Sequence, residues 1–236
     1  MDTLNTDDMA TQPTNNSVET ENLRPGNHGS DRRILAIEVI RFVVYSIVVV
    51  LIAELMKLNA TIDDSEAKFS EYSYVEYLQS IFLFGCSVIS LILYLSDRTK
   101  AFRQIFNVIF GLTTAALIRE QDIYFEQTFG HGTWPYPVLL VLGFVVYNAF
   151  KGKTQLLKQL ADYTGTKSYA FMTFGVITVF IFSRLYGRTK FWEVVMEEKY
   201  FRTVKNTSEE CIELYGYLFI LFAVIELIIH VRRKLK

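Results

Sequence analysis

Glu76 and Gln79 stand three residues apart, Arg119, Glu120 and Asp122 fall in one short string, and Arg184, Glu210 and Glu213 lie further along the chain. These are the residues whose types could do chemistry, because each sits at the edge of an apolar run. Ionisable groups at such depth are costly unless they meet a partner or face a polar interior. Carboxylates with an amide make a hard, oxygen-rich donor set. Glu76, Glu120 and Glu213, with His131 as a fourth ligand, would suit Mg²⁺, Mn²⁺ or Ca²⁺. A divalent cation there would activate water for hydrolysis of a lipid ester or phosphoester, an envelope hydrolase activity. Two other readings use the same residues. Close carboxylates that cannot all ionise would share a proton. Alternatively, Arg119 and Arg184 would neutralise the acids and fix helix register without further chemistry. The sequence leaves the three open.

Several of these residues also have plain readings. Thr207 and Glu210 have the spacing of a capping box, and acids in a first turn suit the helix dipole. Arg119 and Asp122 would pair along one helix. Glu54 reads as a boundary residue reaching outward. Glu213 lies a turn deeper than a cap and is followed by Gly216, which permits close helix contact. A second polar set, Glu38 and Arg41 with Glu226, lies toward the other end of the first and last runs and reads as structural pairing.

The elements that must position these residues are membrane spans. Six apolar runs predict an all-α, polytopic integral membrane protein with spans at about residues 34–56, 76–96, 104–122, 135–151, 168–185 and 210–231. A crossing helix needs about 20 residues, so the middle runs must recruit polar flanks. Residues 1–32 are polar, without apolar periodicity, and read as a disordered cytoplasmic tail; residues 33–236 form the six-helix domain. Phe191, Trp192, Val195, Met196, Phe201 and Val204 recur near helical spacing among charges, which suggests a short interfacial or capping helix.

Lysine and arginine set the orientation. Arg98, Lys100 and Arg103, then Lys151, Lys153, Lys158 and Lys167, then Arg232, Arg233, Lys234 and Lys236 place both ends inside. The loop holding Arg188, Lys190, Lys199, Arg202 and Lys205 dissents, and the short loops outvote it. Formal net charge is −1, so nothing points to nucleic acid, and the bilayer is the expected partner. Cys86 and Cys211 define no disulfide framework, and His28, His131 and His230 are too scattered for a conventional zinc site. No phosphate-cradling glycine loop or serine-hydrolase elbow occurs. Asn59 and Asn206 open glycosylation sequons.

The strings Leu117-Ile118-Arg119-Glu120-Gln121-Asp122 and Glu209-Glu210-Cys211-Ile212-Glu213-Leu214 resemble a pattern in small uncharacterised bacterial inner-membrane proteins. There an Arg-Glu-x-Asp helix end and a nearby Trp accompany a Glu-Glu-x-x-Glu motif that opens the last span. The resemblance covers spans three to six, implies location in the bacterial cytoplasmic membrane and implies no activity. To the ceramidase and adiponectin-receptor hydrolases the chain is similar only in being polytopic with intramembrane acids. The histidine pairs that bind zinc there have no counterpart here.

Overall fold

A computed structural model describes residues 28–62 and 73–235. The tail expected at residues 1–27 lies outside the described residues. The described chain is helical with no strand. Among the described residues, five helices are long and apolar enough to cross a membrane, and there is a sixth crossing if one sharply bent helix pair counts as a single span. This is the make-up of a multi-pass helical membrane protein, in which every backbone group must be satisfied within its own segment.

The described residues divide into two units between Val50 and Leu51. In the first, helix α1 (His28–Ile62) begins about six residues before its apolar run. Once a long apolar segment has nucleated, adding flanking residues costs little. Its large side chains, among them Ile34, Leu35, Ile40 and Phe42, are exposed, as lipid-facing residues would be. Glu38 and Arg41 pair along the helix at 3.6 Å.

The second unit holds the end of α1 and the remaining helices. They are α2 (Tyr74–Leu95), α3 (Arg103–Glu120), α4 (Asp122–Phe129), α5 (Pro135–Lys151), α6 (Lys153–Thr164), α7 (Lys167–Ile177), α8 (Ser183–Tyr186), α9 (Thr189–Met196) and α10 (Arg202–Lys234). Helix α2 packs on α3 and α10, α10 packs on α7, and α3 packs on α5. Leu83, Phe102, Phe106, Ile109, Tyr217 and Leu227 fill the interior. Small and polar residues join the helices, as expected where lipid offers no hydrophobic drive between them. Ser87 meets Thr114 at 2.6 Å, Asn107 donates to the Val145 carbonyl at 3.1 Å, and Ser168 donates to the Ala223 carbonyl at 2.7 Å.

Three features depart from the expected spans. The third ends at Glu120, because Gln121 leaves helical geometry and α4 starts afresh at Asp122. The last begins at Arg202 rather than near residue 210, so Thr207 lies inside a helix and caps nothing. The segment after α5 is not a loop. Helix α6 turns off at 96° from α5 across Gly152, where any side chain would strike the Gln104 amide. The expected short helix between spans five and six is α9, which buries Trp192, leaves Val194 and Val195 exposed, and is tied to Tyr186 O through the indole N–H at 2.9 Å. Asn59 is buried and accepts from the Tyr74 N–H, so its sequon is not presented for modification.

Candidate functional site

Glu209, Glu213 and Tyr217 recur every four residues on α10 and therefore share one face, while Glu210 lies on the neighbouring strip. Two glycines bring α7 against that helix. A Cβ on Gly175 would stand 2.8 Å from the Gly216 carbonyl oxygen, and one on Gly216 would run into Val179. Between α7 and α8 the chain makes a π-helical turn, Thr178–Phe182, with the Ser183 N–H reaching the Thr178 carbonyl. Such a turn shifts the register of the residues after it and is common where side chains are positioned for use. Here it carries Ser183 and Arg184 to Glu213.

Glu213, with a side chain only 4% exposed, is the hub. Its Oε1 accepts from Arg184 Nη2 at 2.7 Å and is 3.0 Å from Ser183 Oγ; its Oε2 accepts from Arg119 Nη2 at 3.1 Å. Arg119 also pairs with Glu120 and donates to the Tyr217 hydroxyl at 3.2 Å, and Tyr217 in turn donates to Glu120 Oε1 at 2.7 Å. Toward the surface, Arg184 reaches Glu209 at 3.2 Å and Lys205 holds the other oxygen of Glu209 at 2.7 Å. Arg184 is about half exposed, so the network grades from solvent into the helix bundle. On the α2 side, fully buried Gln79 donates from Nε2 to both the backbone oxygen and Oε2 of Glu210, each at 3.1 Å. The other atom of that amide, Gln79 Oε1, is buried without a partner. Ser183 has one hydroxyl hydrogen and two acceptors in reach, Val179 O at 2.7 Å and Glu213 Oε1, so it serves one at a time.

Four of the candidate residues thus share one network, Arg119, Glu120, Arg184 and Glu213, and two more, Gln79 and Glu210, form a separate hydrogen-bonded pair on the same helix α10. Arg119 turns across to α10 instead of down its own helix to Asp122. Asp122 opens α4, where partial burial raises its carboxyl above the ordinary range and a hydrogen bond from the Ile123 backbone opposes that rise. Glu76 occupies the first turn of α2, with its N–H on Ser73 Oγ at 3.3 Å. His131 sits in an exposed turn, 2.8 Å from Glu126. The expected metal set of Glu76, Glu120, Glu213 and His131 therefore does not assemble. Among the described residues no group of three or more His, Cys, Asp or Glu side chains is placed to hold a metal ion. The reason is visible at the centre: the Arg119 guanidinium bridges Glu120 and Glu213, where a cation shared by the two would stand.

Ser183, Lys205, Glu209 and Tyr217 complete the network although they are not among the candidate residues. Tyr217 is detectable as the residue four after Glu213, and Lys205 as the residue four before Glu209. Ser183 carries no such signal, because the π turn that aims it is invisible in residue spacing. Comparison with known proteins finds no match to this chain, neither a family model nor a curated protein nor a solved structure.

Proposed function

We propose that this chain is a non-enzymatic membrane protein whose polar core takes up and releases one proton. One observation carries the reading. The hydrogen-bonded network matches three carboxylates, Glu120, Glu209 and Glu213, with three cations, Arg119, Arg184 and Lys205, while a fourth carboxylate, Glu210 on α10, stands beside it without a cation among the described residues. The cations are taken by Glu120, Glu209 and Glu213. Glu210 is held by the neutral amide of Gln79. An uncompensated charge in such surroundings costs several kcal/mol, and a proton removes it.

In this reading the bundle has six spans, with α5 as a short fourth crossing and α6 lying along the inner interface. Both ends are cytoplasmic, as the Lys and Arg distribution favours, and the network faces outward. The membrane is the bacterial cytoplasmic one, on the strength of the helix-end motifs. Metal-assisted hydrolysis is not part of the proposal, because a guanidinium fills the place a shared metal ion would need.

Infrared difference spectra of the reconstituted protein, recorded between neutral and alkaline buffers so that ordinary carboxylates are ionised throughout, test it. Wild type is expected to show a carbonyl band of a protonated carboxylic acid that disappears with rising pH. Glu210→Gln is expected to lose that band, and Glu209→Gln to keep it. A Glu210→Gln spectrum identical to wild type would remove the basis of the proposal.

A further inference from the structure

The opposite end of α10 is built on a different charge plan. Residues 96–103, 151–167 and 230–234 contain ten Lys and Arg side chains against two acids, Asp97 and Asp162. Direct contacts draw these segments together. The Gln104 N–H donates to Gln159 Oε1 at 2.8 Å, Gln159 Nε2 donates to the Lys100 carbonyl at 3.0 Å, and Lys234 lies 5.0 Å from the Phe102 ring centre. Six of the cations, Arg98, Lys151, Lys153, Lys158, Arg232 and Arg233, are exposed and have no carboxylate partner among the described residues. Near the network end, by contrast, Lys205, Arg119 and Arg184 each meet a carboxylate, and the exposed bases of residues 188–202 are interleaved with Glu193, Glu197 and Glu198.

Helix α6 adds the geometry. It is fixed by the Gln159 amide and by burial of Tyr163, yet Leu157 and Leu160 on it stay exposed beside Lys153 and Lys158. A helix held across the axis of its neighbour, with leucines bare and lysines flanking them, suits the boundary between acyl chains and headgroups.

We infer that this basic end, made by α6 and the adjoining ends of α3 and α10, is a docking surface for anionic phospholipid headgroups. The six cations lack negative partners in the described chain, and the headgroup layer supplies them. Leu157 and Leu160 enter the acyl region and hold α6 at the depth where Lys153 and Lys158 reach phosphate. The inference rests on membrane insertion and is independent of the proton site.

The full chain in zwitterionic detergent, titrated with short-chain phosphatidylglycerol or phosphatidylcholine and read by native mass spectrometry, tests it. Wild type is expected to prefer phosphatidylglycerol, with a preference that fades as salt is added. Lys153→Gln/Lys158→Gln and Arg232→Gln/Arg233→Gln are each expected to weaken it, by roughly fivefold per cation removed. Arg188→Gln/Lys190→Gln, near the other end, is expected to leave it unchanged. Melting curves without added lipid establish that each variant is folded, and the two basic-end pairs lie on separate helices, so either one suffices. Equal binding of both lipids, or an equal loss in the Arg188/Lys190 variant, would overturn the surface. So would displacement of the lipid by inorganic phosphate beyond that caused by chloride at equal ionic strength, since that marks a small-anion site.

Discussion

Glu213→Ala is expected to destabilise the protein by about 3–5 kcal/mol, the usual cost of removing one member of a buried ion pair. The loss comes less from the missing contacts than from the groups left behind. Arg119 and Arg184 both point at the Glu213 carboxylate, and Ser183 has it as an alternative acceptor. Without it Arg119, about a fifth exposed, keeps Glu120 alone, and Arg184 falls back on Glu209 at the rim. Glu213→Gln preserves shape and restores an acceptor for Ser183, but supplies no charge, so it is expected to fall between Ala and wild type. Glu209→Gln is the comparison. Its partner Arg184 is about half exposed, where a pair contributes about 0–1 kcal/mol, and its partner Lys205, about a fifth exposed, has a flexible stem that can carry the ammonium to water. Equilibrium unfolding in bicelles should rank the variants as Glu213→Ala, Glu213→Gln, then Glu209→Gln, from largest loss to smallest. A Glu213→Ala protein as stable as Glu209→Gln would mean that no buried network exists.

Arg119→Met should produce a loss of similar size, about 3–5 kcal/mol, by leaving Glu120 and Glu213 facing each other without the cation that joins them. The apolar stem is kept, so packing along α3 changes little. Tyr217 then donates to Glu120 with nothing donating to its own oxygen. Arg119→Met/Glu120→Leu removes one charge of each sign and is expected to lose less than the sum of the single variants. A coupling of roughly 0.5–3 kcal/mol is normal for residues in one network. Strict additivity would show that Arg119 and Glu120 do not act through each other.

Much of the fold is legible in the residues because the bilayer constrains it so strongly. Twenty apolar residues in succession have few alternatives to a crossing helix. Ends are less legible. Residues 202–209 are polar apart from Val204, yet they continue α10, where Lys205 and Glu209 pair one turn apart and Glu209 has Arg184 to meet. At the Gly152 bend the Gln104 amide comes close enough to meet any side chain there, an approach that no local pattern shows. At the site, the edges of the apolar runs mark Glu120 and Glu213 as residues that belong together. They do not show which cation lies between them. Arg119 has Asp122 three residues away and Glu213 ninety-four away, and spacing along the chain favours the near one. The choice of Glu213 depends on the helix packing that Gly175 and Gly216 allow. His131 resembles a ligand only because histidines are few; its exposed turn keeps it with Glu126.

The most direct test is the protonation state of Glu210 itself. Carboxyl carbons of glutamate can be followed by ¹³C NMR in lipid bilayers across a pH series, with assignments made by Glu210→Gln, Glu209→Gln and Glu213→Gln. For a proton-binding core, the Glu210 carboxyl is expected to move from the acid to the carboxylate position as pH rises. A Glu210 signal that remains carboxylate at every pH at which the protein is folded would contradict the proton-binding core.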